Sequence, residues 1–130
     1  PYLFSNNIPA STAAVGNEII NLIKKSKSLI KKLDENTKYF RQKMTEIGFD
    51  IRPSTHPVVA VMLYDEILAS KFAQMMIEDE GIYVIAFSFP VVPKGEARIR
   101  VQISAAHEKE HIDKAIESFT TIGKKLKVLK

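Results

Sequence analysis

The segment GEARIRVQISAAH, residues 95–107, decides how the rest of the chain is read. Taken as a strand, it sends Ile99, Val101 and Ile103 to one face and Arg98, Arg100, Gln102 and Ser104 to the other, because side chains alternate with period two. The apolar face is a core face. The polar face carries two arginines two residues apart, and is either a wetted surface or a place built to hold an anion.

Working outward, the loop SFPVVPKGE precedes this strand, and Pro90 and Pro93 stiffen it by fixing φ and removing donors. Before the loop, residues 82–87 read as a second strand. HPVVAVMLYD, residues 56–65, is a short apolar run bounded by Pro57 and Asp65, and reads as a third strand. Asp65 is placed to cap a helix carrying Leu68, Phe72, Met75 and Met76 inward and stopping at Gly81. Past residue 107 the spacing of Ile112, Ile116, Phe119 and Ile122 predicts a last helix with an acidic first turn and a lysine-rich end, as the helix dipole favours. Toward the N-terminus, Val15, Ile19, Leu22 and Ile23 form a helical stripe that Ser11 or Thr12 can cap. The stripe loses phase near Ser26 to Ser28 and resumes through Leu33, Phe40, Met44 and Ile47, with Gly48 as the stop. The order α(α)βαββα predicts an α+β fold, a three-stranded largely antiparallel sheet with helices on one face. Residues 1–48 are expected to form a linking helical segment and residues 49–130 a small domain.

Composition narrows the function. The chain has 130 residues, no cysteine and a net charge of +4. Such a length suits one domain with a real core, and the missing cysteine excludes disulfides and thiolate metal sites and fits the cytoplasm. No run approaches the ~18 apolar residues of a membrane span. The excess lysines cluster at residues 24–32 and 124–130 beside Ile, Leu and Val at helical spacing, which marks solvated helix faces and not a nucleic-acid surface. A start without Met that puts Tyr2, Leu3 and Phe4 at the very end is expected of a piece of a longer protein.

HEKEH, residues 107–111, matches the H-E-x-x-H pattern of zinc helices. Its histidines lie about 100° away from the apolar stripe, by the 3.6-residue period, so it is read as a helix start in which His107 caps the end, and no metal is expected. The arginines invite a chemical reading. A guanidinium pairs a carboxylate through two parallel hydrogen bonds and stays charged at any relevant pH, which suits a site that handles an amino acid. A free-standing amino-acid-binding module would use the same face.

PYLFSN, residues 1–6, GF at 48–49, EGIYV at 80–84 and FPVVPKGEARIRVQISAAH together resemble the C-terminal part of the α-oxoamine synthases, pyridoxal-phosphate enzymes of fold type I that condense an amino acid with an acyl-CoA thioester. The likeness runs the whole chain and is strongest to members that join glycine to acetyl-CoA, with longer-chain acyl donors as the alternative. It implies the small C-terminal domain of a homodimeric transferase, in which Arg100 binds the substrate carboxylate and Ser5 reaches the cofactor phosphate of the neighbouring subunit. It gives Arg98 no role, places residues 89–93 over the active site near the acyl-CoA, and puts the Schiff-base lysine upstream of Pro1. The chain alone is therefore expected to be inactive.

Overall fold

The computed structural model describes residues 7–129, and Tyr2, Leu3, Phe4 and Ser5 lie outside the described residues. The elements run α1 (Ala10–Lys25), α2 (Ser28–Ile47), β1 (Val58–Tyr64), α3 (Glu66–Glu78), β2 (Ile85–Phe87), β3 (Ala97–Gln102) and α4 (Lys109–Lys125). The chain divides into two compact units, Pro1–Lys31 and Lys32–Lys130.

In the first unit α1 buries no side chain, and Val15, Ile19, Leu22 and Ile23 all stand about half exposed. It starts one residue before Ser11, with Pro9 at the N-cap and no side-chain cap, so neither Ser11 nor Thr12 takes the capping position predicted for it. The physical reason is Pro9, whose carbonyl already accepts the Ala13 amide and draws both residues into the first turn. The helix ends at extended Ser26, whose hydroxyl pairs with that of Ser28 at 2.7 Å.

The second unit is an α+β sandwich. Both pairings of its three-stranded sheet are antiparallel and the order is β1-β3-β2, so the segment with the two arginines is the central strand. Its inward residues Ala97 and Ile99 join Val59 and Val61 of β1 under α2, α3 and α4 in one cluster. At the centre of that cluster the Phe119 ring lies 6.2 Å from Phe40, 5.9 Å from Phe49 and 5.3 Å from Phe72. Phe40 and Met44 come from α2, so the second half of that helix belongs to the same core as the sheet.

Local chemistry sets the element ends. Asp65 caps α3, its carboxylate accepting the Leu68 amide at 2.7 Å. Gly48 and Gly81 follow α2 and α3 with positive φ, as C-terminal caps require. β2 is shorter than predicted, three residues and not six, because the Ile82 amide bonds back to Met76 at the end of α3 and is withheld from the ladder. α4 is capped by Glu108 and not by His107: Glu108 accepts the His111 amide while His111 Nδ1 accepts the Glu108 amide at 3.1 Å, a reciprocal box. His107 Nδ1 instead accepts the Ser104 amide, and Asn36 of α2 donates to the carbonyls of Ser104 and His107. Gly123 lets Phe49 and Leu129 rest on α4, since a Cβ there would stand 2.8 Å from the Phe49 ring and 3.0 Å from Leu129.

Candidate functional site: the open face of the sheet

Directly opposed residues of antiparallel strands share a face. The pairings Ala60↔Arg100↔Ile85 and Met62↔Arg98↔Phe87 therefore lay two rows across the face that the helices leave uncovered. Ile51 bridges to Val61, which sets Arg52 beside Ala60 and adds it to the first row. Arg41 fixes this approach, donating to the carbonyls of Arg52, His56 and Val58 from α2. The face thus gathers three guanidinium groups, Arg52, Arg98 and Arg100.

These three are not equivalent. Glu96, two residues before Arg98, takes both neighbours: its Oε1 lies 3.1 Å from Arg52 Nη2 and its Oε2 lies 2.8 Å from Arg98 Nη2. Arg98 Nε also donates to the Glu96 carbonyl, and the side chain is only 22% exposed. The Arg100 side chain makes no hydrogen bond or ion pair with any described residue and is exposed. Its one neighbour of note is the Phe87 ring, whose centroid lies 5.4 Å from Cζ. A cation with its fork unoccupied, on the strand held from both sides, is ready to take an anion.

Beside the face opens a groove of about 510 Å³ lined by buried Phe40 and Phe119 and by Ile82, Val84, Arg100 and Lys114. It exists because the chain before Ile85 leaves the β3 ladder. The 88–95 loop turns tightly, Ser88 accepting the Val91 and Val92 amides, and shows Phe89 and Val91 to solvent, with Lys94 Nζ over the Phe89 ring at 5.1 Å. Tyr64, at the end of β1, donates its hydroxyl to Asp50, and that bond holds the phenol above its ordinary pKa.

Both histidines of HEKEH present Nδ1 to backbone amides, as described above, and among the described residues no three His, Cys, Asp or Glu side chains gather as a metal site. Of the predicted site residues, Arg100 stands on the open face and Ser5 lies outside the described residues. Sequence reasoning missed Glu96 and Phe87. A carboxylate two residues before Arg98 was a visible signal for Glu96, whereas Phe87 becomes a neighbour only once the register of β2 on β3 is known.

Known proteins agree with this architecture. The family model for aminotransferase class I and II matches residues 1–119. The human mitochondrial 2-amino-3-ketobutyrate coenzyme A ligase is 45% identical over 124 residues, 95% of this chain and 29% of its own. An 8-amino-7-oxononanoate synthase of Thermosipho melanesiensis is 43% identical over 129 residues, covering 99% and 33%. A serine palmitoyltransferase from S. paucimobilis, solved with a bound PLP–myriocin aldimine, superposes with a TM-score of 0.88 at 26% identity, covering 97% of this chain and 32% of that one. The chain thus spans about a third of the length of the relatives it matches. Matched from its first residue through most of α4, it belongs to the aminotransferase class I and II family.

Proposed function

We propose that the chain is the C-terminal part of a PLP-dependent acyltransferase, a glycine C-acetyltransferase that condenses glycine with acetyl-CoA to 2-amino-3-oxobutanoate and CoA. One observation carries this reading: of the three guanidinium groups on the open face, Arg98 and Arg52 are spent on Glu96 while the Arg100 fork is unoccupied among the described residues. Arg100 is the anchor for the glycine carboxylate. It supplies orientation, holding the amino acid so that its α-carbon is presented to the chemistry, and moves no proton itself.

The residues described here fit the substrate and not the cofactor. Among the described residues, the cations paired across the open face are arginines, with no lysine in those rows to bond a carbonyl. Pyridoxal phosphate, when bound, supplies the electron sink for carbanion formation, and apart from Ser5 the groups that hold it are assigned to the rest of the protein. Ser5 is assigned to the cofactor phosphate of the neighbouring subunit in a homodimer, and residues 89–93 to the acyl-CoA side. The ligase name of the human relative supports acetyl-CoA as donor, and the cysteine-free composition supports a reducing compartment such as the cytoplasm. A longer acyl donor is the second reading, favoured by the synthase name of the Thermosipho relative.

The test is a glycine titration of the full-length protein carrying Arg100 or Arg100→Ala, followed by the absorbance of bound pyridoxal phosphate. The alanine variant is expected to need roughly tenfold to a hundredfold more glycine, the range of a lost charge-assisted hydrogen-bond pair. A variant that titrates like the parent removes Arg100 from the site, and turnover with a series of acyl-CoA thioesters decides between the two donors.

A further inference from the structure

Arg98 and Arg100 sit on one strand, on one face, two residues apart, yet they are restrained by opposite means. Arg98 is fixed by hydrogen bonds, its Nη2 and Nε both committed to Glu96 at 2.8 and 3.0 Å. Arg100 is fixed by none among the described residues, and only the Phe87 ring stands within cation–π range of its Cζ, at 5.4 Å. The difference matters for an anion anchor. A carboxylate partner restrains a guanidinium by consuming the N–H groups that a substrate needs. An aromatic face restrains it through the π cloud and leaves those N–H groups vacant.

Register explains how the ring gets there. Phe87 is the direct partner of Arg98, and Ile85 that of Arg100, so Phe87 is the diagonal neighbour of Arg100 across the β2–β3 ladder. Diagonal neighbours on one face are within reach of aromatic and long side chains. With Arg98 drawn to Glu96, on the side away from Arg100, the Phe87 ring is left to the second arginine. The ring itself is half-buried, which limits the orientations it can take.

We propose that Phe87 is a positioning residue for the amino-acid substrate, holding the Arg100 guanidinium by its face so that the donor edge is aligned and unspent when the carboxylate arrives. This rests on the reading of Arg100 as the carboxylate anchor. It adds a requirement that reading lacks: position 87 must be aromatic, and its effect must pass through Arg100.

The experiment uses the full-length protein and calorimetric binding of glycine, with methylamine, which has no carboxylate, as the control ligand. Phe87→Leu is expected to weaken glycine about two- to fivefold, the worth of an exposed cation–π contact, and to leave methylamine unchanged. Phe87→Tyr and Phe87→Trp, which keep a π face, are expected to bind glycine like the parent. In an Arg100→Ala background, Phe87→Leu is expected to add nothing, the sign of two residues acting as one. Equal loss in the leucine, tyrosine and tryptophan variants overturns the proposal, as does a leucine effect that persists without Arg100 or that weakens methylamine equally. If Arg100→Ala itself leaves glycine binding intact, the anchor reading falls and this proposal with it. If Arg100→Ala weakens glycine while Phe87→Leu does not, only the role of Phe87 is lost.

Discussion

The two faces of the sheet are made by the same three strands and differ in almost every other respect. On the face beneath the helices, Ala97, Ile99, Val59 and Val61 have no accessible surface, and their identity is dictated by volume. On the opposite face, residues one position away alternate between cations and apolar groups: Arg98 and Arg100 on the central strand, Ile85 and Phe87 on one side, Ala60 and Met62 on the other. The covered face is redundant, since many contacts share its stability. The open face is not, since its electrostatics come down to which of three arginines Glu96 neutralises. The contrast shows why position 100 can be functional on a strand that is otherwise structural: the core needs only every second residue of β3.

The contrast can be broken most severely from the covered side. Phe119→Ala removes the ring at the centre of four phenylalanines, and denaturant unfolding of the chain is expected to show a loss of about 3–5 kcal/mol. A loss below about 1 kcal/mol would mean the cluster can collapse around the gap and is less tightly packed than its geometry implies. A smaller effect belongs to the helix ends that position the cover. Asp65→Ala deletes the cap on α3 and is expected to cost about 1 kcal/mol in the same measurement, without altering glycine binding in the full-length protein. A change in glycine binding would couple the two faces, contrary to their separation.

The smallest effect concerns pH. Lys32, at 2.6 Å, holds the Glu108 carboxyl below its ordinary 4.5, chiefly by the hydrogen bond it donates. A depressed folded value means a contribution that is present above 4.5 and lost as the pH falls through the folded value. The side chain is exposed and the pair is screened, so the effect is small. Glu108→Gln is expected to flatten the acid limb of the stability–pH curve slightly, lying a little below the parent at neutral pH and meeting it at low pH. An unchanged acid limb would show that the pair does not persist in solution.

Much of this was legible in the chain. The alternation in ARIRVQ showed both faces of β3 because strand period survives any tertiary context, and Asp65, Gly48 and Gly81 marked helix ends by local chemistry alone. Other features depend on contacts between distant residues. The shortening of β2 follows from one amide, that of Ile82, choosing a helix carbonyl over the ladder. The cap on α4 lies one residue later than His107 because that imidazole is taken by the turn after β3. Gly123 gave no periodic signal, its reason being two side chains from elsewhere in the chain. The Arg100–Phe87 contact was hidden most deeply, since only a diagonal of the register reveals it.

The central place of β3 has one more consequence. A strand at an edge can slip by one residue at the cost of a single ladder, whereas β3 is gripped by β1 and β2 at once. A one-residue slip would also invert its parity, driving Arg98 and Arg100 under the helices and turning Ile99 to water. A one-residue misalignment of β3 therefore cannot keep the core and alter only the open face. The packing of Ile99 beneath the helices is what holds Arg98 and Arg100 on the other side of the sheet.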